Sequence, residues 1–166
     1  MTPQRLLTTG IAPALAELET HGIPDSVDAR RFLVAIALQE SKILHRRQLV
    51  ASGEENGPAA SYWQFEPNGG CLGVLSHKST ARRMTRLCLD FNVTTTPRGL
   101  WEAMRYNDVV AAAAARLLIY TLPKPLPTTE RDGWDQYISA WRPGKPHPKT
   151  WPANWHAATL AVGLKP

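Results

Sequence analysis

Apolar residues recur at steps of three and four along most of this chain and almost nowhere alternate with polar ones, a rhythm that predicts helices and few strands. Thr2-Pro3 supplies a cap and a first-turn proline before QRLLTTGIAPALAELE; Gly10 and Pro13 interrupt that run, so one broken helix or two short ones are expected up to Gly22. PDSVDARRFLVAIALQESKIL starts at Asp25 or Ser26 and is long and apolar enough to be the central helix. In LSHKSTARRMTRLCLDF, Leu75, Met84, Leu87 and Phe91 share a face behind Ser76 as cap, and NDVVAAAAARLLIYTL runs from Asn107 to Pro123. A further helix is expected over TTERDGWDQYISAWR, capped by Thr128 or Thr129 and stopped at Pro143-Gly144, with a short last one near Pro152. Only Arg46 to Gly73, rich in Gly, Asn and Ser, lacks the helical rhythm and suits a short hairpin with loops. LPKPLP and RPGKPHPKTWP read as stiff connectors inside one unit. The expectation is one mainly α domain over residues 1–166, with six or seven helices and a small β or loop insertion between the second and third.

One residue disturbs this pattern. Leu33, Ile36, Ala37, Glu40 and Leu44 follow one another at helical spacing, so Glu40 occupies a position on the apolar stripe. It lies near the end of its helix, where the backbone dipole disfavours negative charge, and burial acts in the same direction. Both effects raise a carboxyl pKa, which suits a proton donor near neutral pH. The plainer alternative is a structural ion pair with Arg46 or Arg47.

Composition narrows the classes. With 166 residues, 43% hydrophobic and 20% charged, the chain builds one core rather than two. Its formal charge of +5 and isoelectric point near 9.5 favour a polyanionic partner. The arginines are scattered as Arg30-Arg31, Arg46-Arg47 and Arg82-Arg83 without a polybasic tract, and no P-loop or zinc-finger spacing occurs, so nucleic acid is not the expected partner. Cys71 and Cys88 form neither a CxxC motif nor a Cys/His cluster; small buried thiols are the expectation, with no metal and no cofactor. His45, His77 and His147 fall in no Ser/His/Asp order and read as surface histidines. No apolar run approaches the roughly 18 residues of a membrane span, and the N-terminus lacks the apolar core and cleavage site of a signal peptide. The expectation is a monomer made in the cytoplasm that reaches any external target by other means.

ALQES resembles the Glu-Ser motif that closes the catalytic helix of lysozyme-like glycoside hydrolases, soluble lytic transglycosylases in particular. ASYWQFEP is similar to their Gly-Leu-Met-Gln-Ile segment, and YISAWRPGKP to their Ala-Tyr-Asn-Ala-Gly segment with its Pro/Gly-rich tail. The three follow in the family's order over roughly Val27 to Pro146, and HRRQ…GPAASYWQFEPNGG is also similar to small lysozyme-like proteins of tailed phages of Gram-negative hosts. The resemblance implies a lysozyme-like α+β fold and makes Glu40 the general acid that protonates a glycosidic oxygen. Ser41 would orient that acid or contact an N-acetyl sugar, unless it is a helix-end hydroxyl bonded to backbone. Gln64 would hydrogen-bond substrate or brace the cleft, and Tyr62 and Trp63 would stack on sugar rings or pack in the core. Ser61-Tyr62-Trp63 departs from Gly-Leu-Met, and Trp141-Arg142 stands where the family has Tyr-Asn, so Tyr137, one turn earlier, or Trp141 takes the place of the pocket tyrosine.

A lytic transglycosylase needs one carboxyl group, which first donates a proton and then, as carboxylate, removes one from the muramyl hydroxyl. A hydrolase ordinarily uses two; Glu54, Glu55 and Glu66 are the candidates, with Glu66, inside the aromatic motif, the best placed unless it is a solvated turn acid. The resemblance thus implies cleavage of the β-1,4 bond between N-acetylmuramic acid and N-acetylglucosamine in peptidoglycan glycan strands, by a phage endolysin or virion-associated enzyme. The alternative is a noncatalytic wall-binding or virion structural protein on the same fold.

Overall fold

The computed structural model describes residues 1–165. Helix accounts for 61% of the chain and strand for 2%, so the protein is mainly α. In chain order the α-helical segments are α1 (Pro3–Leu6), α2 (Ala12–Thr20), α3 (Val27–Ser41), α4 (Leu72–Ser76), α5 (Ala81–Asp90), α6 (Pro97–Met104), α7 (Asp108–Tyr120), α8 (Glu130–Trp141) and α9 (Trp151–Ala161). Their starts follow local chemistry. Thr2, Ser26, Thr96, Asn107 and Thr129 each accept a hydrogen bond from a backbone N–H in the first turn of the helix that follows, satisfying donors that the helix itself leaves open.

Three expectations about elements change. The run up to Gly22 does hold two short α segments, but Gly10 and Pro13 do not separate them by a gap: a π turn over Leu7–Ile11 joins α1 to α2, with the Ala12 N–H bonded to the Leu7 carbonyl, and Pro13, which has no N–H to give, sits at the start of α2. Gly10 suits the close approach of the start of α7, since a Cβ there would lie 3.1 Å from the Asp108 Cβ and push the two apart by a few tenths of an ångström. Ser76 closes α4 instead of capping α5, whose N-cap is Thr80. An additional helix, α6, stands behind Thr96-Pro97.

The core is organised around α3 and α7. From Phe32 to Ala37 every residue of α3 is fully buried, as is every residue from Val110 to Ala115 of α7. α9 lies along α3, with Phe32 edge-on to Trp151 and Trp155 at 6.4 and 6.3 Å between ring centres. α8 approaches α9 closely because Gly133 has no side chain; a Cβ there would meet the Trp155 ring at 2.5 Å. Cys71 and Cys88 are free and buried, and burial pushes their thiols up to about 12 and about 11.

Arg46 to Gly73 contains two isolated antiparallel bridges, Arg47 to Ala60 and Ala60 to Phe65, and a π turn at Pro67–Cys71. Among the described residues it holds no longer strand. Ala60 and Phe65 exchange both backbone hydrogen bonds at 2.8 Å, closing a turn in which Ser61 and Gln64 take left-handed φ values of 66° and 52°. No helix is long and apolar enough to cross a membrane among the described residues.

Candidate active site

α3 ends one residue after Glu40. Lys42 and Ile43 both adopt left-handed φ, 53° and 56°, and Leu44 turns out to solvent at 60% exposure, so it does not continue the face of Leu33, Ile36 and Ala37. Glu40 therefore occupies the last turn of a buried helix and opens onto a groove of about 1220 Å³. The groove runs between the Arg46–Gly73 insertion, α8 and the connector that follows it, with Gln39, Gln64, Glu66, Tyr137 and Trp141 also on its lining. A smaller depression of about 640 Å³ near the N-terminus holds Asp25 and Arg30, which pair with each other.

The Glu40 environment is short of counter-charge. Arg46 is engaged by Asp108 through two hydrogen bonds of 3.1 and 2.6 Å, and Arg47 donates to the carbonyls of Asn56 and Gly57. Among the described residues no cation pairs with Glu40. This removes the structural ion pair as an account of it. Its one hydrogen-bond partner among the described residues is the Tyr137 hydroxyl, which donates to Oε1 at 2.6 Å. Burial raises the Glu40 carboxyl from 4.5 to about 7, with the tyrosine bond pulling the other way. Desolvation wins because a single neutral donor offsets only part of the hydration that an anion loses. Burial and the neighbouring carboxylate push the Tyr137 phenol upward, so it remains a donor. When Glu40 is protonated, Tyr137 occupies Oε1 and the acidic proton belongs on Oε2.

Tyr137 is held by its own stack. Its ring lies parallel to Trp151 at 5.4 Å and 12°, and Trp134 tilts against both. Trp151 is fixed in turn by an indole hydrogen bond of 2.9 Å to the Glu130 carbonyl. The sequence pattern had not marked Trp151 or Trp134, and neither lies in a recognisable motif.

Of the two readings of Tyr62 and Trp63, stacking on sugar rings or packing in the core, the structure takes the second. Trp63 has no exposed surface; its indole donates to the Leu33 carbonyl of α3 at 3.0 Å. Tyr62 is 3% exposed beneath the Arg46 guanidinium, 4.9 Å from its ring centre. Neither ring is available to stack on a ligand. Ser41 is buried and its hydroxyl is shared between the carbonyls of Ala37 and Tyr62 at 3.1 and 2.8 Å, so it ties the insertion to α3; it is not on the groove lining. The turn from Ser61 to Gln64 is thus a clasp: Tyr62 and Trp63 anchor it in the core because large apolar surface gains most from burial, and Gln64 is left at the groove, its Nε2 donating to the Ser61 carbonyl at 2.8 Å. Trp141 completes the clasp, its indole donating to the Trp63 carbonyl at 2.9 Å while its ring meets Phe65 edge-on at 5.9 Å.

Of the other acids, Glu66 is exposed and lines the groove. Glu55 binds His45 at 2.9 Å and Glu54 accepts from Ser52 and Asn56; both lie outside the groove lining. Glu17, His21 and Asp90 bring ligand-type atoms within 4.8 Å of one another, but Asp90 is already engaged by Arg86 and none of the three is on the groove lining. The arrangement at the groove can hold a proton near neutral pH, release it to a bound oxygen, and take one back. Set against protein-family models, curated proteins and solved structures, the chain matches none of them.

Proposed function

We propose that this protein is a lysozyme-like glycosidase that cleaves the β-1,4 bond between N-acetylmuramic acid and N-acetylglucosamine in peptidoglycan, with Glu40 as general acid. The observation that carries this reading is a carboxyl in the last turn of a buried helix that opens onto a groove of about 1220 Å³, bonded by the Tyr137 hydroxyl and without a cationic partner among the described residues, where burial raises it to about 7. A structural carboxylate gains nothing from such a position, whereas an acid catalyst needs a pKa near its working pH. The resemblance of ALQES, ASYWQFEP and YISAWRPGKP to the lysozyme-like segments supplies the substrate class, and the net charge of +5 suits an anionic wall. On the same reading the chain is a phage-type lytic protein, endolysin or virion-associated.

In the mechanism Glu40 gives its Oε2 proton to the leaving glycosidic oxygen as the C–O bond breaks. The Tyr137 hydrogen bond then stabilises the carboxylate that forms, since a donor favours the charged state. Glu40 next removes a proton from the nucleophile that attacks the sugar carbon. In transglycosylation that nucleophile is the muramyl 6-hydroxyl, and one carboxyl group suffices. This route is supported by the other acid on the groove lining, Glu66, being exposed and belonging to the insertion, where water keeps a carboxylate charged and unpositioned. Clearing of purified peptidoglycan, followed by mass spectrometry of the products, tests the proposal: anhydromuramyl ends are expected, reducing ends would indicate hydrolysis with a second acid, and no soluble product would leave a noncatalytic wall-binding or virion protein as the better reading.

A further inference from the structure

One wall of the groove is positively charged and mechanically fixed. The connector between α8 and α9 is tied down at both ends. At its start Trp141 bonds to the clasp. At its end Gln39, the neighbour of Glu40 in the chain, donates to the His147 carbonyl at 3.0 Å and accepts from Thr150 Oγ1 at 3.0 Å and Asn154 Nδ2 at 2.7 Å. Between these anchors Pro143, Pro146 and Pro148 restrict the backbone, and Arg142 holds a left-handed φ of 49°. Arg142, Lys145 and His147 are exposed, and all three line the groove. None enters an ion pair among the described residues, and the only side-chain bond of Arg142 is a 3.4 Å contact to the Ser139 carbonyl. Arg142 and Lys145 thus share the groove lining with Glu40 without being paired to it, and among the described residues no acid engages either of them.

We propose that Arg142 and Lys145 recognise carboxylates carried by the glycan strand, making the site selective for acidic muramyl glycan over neutral N-acetylglucosamine polymers. This deepens the glycosidase reading and rests on it. The carboxylates have two sources: the lactyl group of muramic acid, free where the peptide has been removed, and the stem peptide itself. Glu40 has no part in the recognition, so it is testable by binding alone.

The experiment uses the full chain with Glu40→Gln, which binds without turnover, alone and combined with Arg142→Gln and Lys145→Gln. Three probes are titrated: neutral chito-oligosaccharide, amidase-stripped glycan strands with free lactyl carboxylates, and peptide-bearing strands. The expected result is that the two added substitutions weaken carboxylate-bearing strands roughly tenfold, the scale of two charge-assisted contacts at a solvent-exposed rim, while the neutral sugar binds as before and reports an intact groove. A loss on stripped strands assigns recognition to the lactyl group, and a loss confined to peptide-bearing strands assigns it to the stem. Equal weakening of all three probes, or of none, overturns the inference while leaving the glycosidase reading in place. Failure of the Glu40→Gln protein to bind any glycan overturns both.

Discussion

Two acids at the edges of the insertion have opposite surroundings. Asp108 is the first residue of α7, where the helix dipole favours negative charge, and Arg46 clamps it with two hydrogen bonds. Glu40 is the last but one residue of α3, where the dipole opposes charge, and it has a phenol for a partner and no cation. The first arrangement stabilises an anion and joins the insertion to the core. The second holds a carboxyl poised between charge states and gives up stability to do so. The difference lies in neighbours and helix polarity, since both side chains are carboxylic acids.

That contrast is open to attack at four points. The largest effect is expected for Glu40→Gln, which keeps shape and hydrogen bonding but cannot donate a carboxyl proton; wall-clearing rate per folded molecule should fall by about 10²- to 10⁴-fold. Full activity in that variant would remove Glu40 from the chemistry.

The same variant also tests the stability side. A carboxyl raised in the native state above its unfolded value binds more protons folded than unfolded, so native stability falls as pH rises between about 4.5 and 7 and then levels. The shift corresponds to up to about 3 kcal/mol, and Glu40→Gln should lack this portion of the pH dependence. Urea melts of both proteins at pH 4.5 and pH 8 measure it, and parallel changes in the two would show that Glu40 is not perturbed by burial.

Arg46→Met addresses the other acid. Losing the cation leaves the half-buried Asp108 carboxylate without its partner and should cost about 1–2 kcal/mol of stability, less than a fully buried pair because Arg46 is partly exposed. Activity per folded molecule should persist. A large loss of activity with unchanged stability would erase the distinction between latch and acid.

The smallest effect is expected for Tyr137→Phe. The lost hydrogen bond favoured the carboxylate, so the apparent pKa of the alkaline limb of kcat/KM should move upward, with the acid-side plateau lowered by no more than about tenfold. A downward move would mean that the tyrosine stabilises the protonated form.

Much of this arrangement was legible in the sequence because it depends on local signals. Asn107 announced its helix, the pairs Asp25-Ser26 and Thr128-Thr129 bracketed the starts that Ser26 and Thr129 make, and Glu40 stood out because an acid on the stripe of Leu33 and Ile36 breaks the apolar pattern. The end of α3 was harder to read: Leu44 continues the stripe in sequence, but the left-handed residues Lys42 and Ile43 carry it away, and neither is a glycine that would have signalled the turn. Thr96-Pro97 carries the same cap signal as Thr2-Pro3, so the start of α6 was readable. The roles of Trp63 and Ser41 depend on contacts with Leu33 and Tyr62, thirty and twenty-one residues distant, and aromatic character alone does not say whether a ring faces a groove or a core. The stack of Trp151 on Tyr137 has no local signature either, because it forms between two helices whose closeness is set by Gly133.

The most direct test of the central claim is to titrate the Glu40 carboxyl itself. Protein labelled with carbon-13 at glutamate side chains, with Glu40→Gln used to assign the resonance, reports its protonation from pH 3 to 9 by NMR. A midpoint near 7 is the predicted result; a midpoint near the ordinary 4.5 would show an ionised carboxylate at neutral pH and contradict its role as the proton donor.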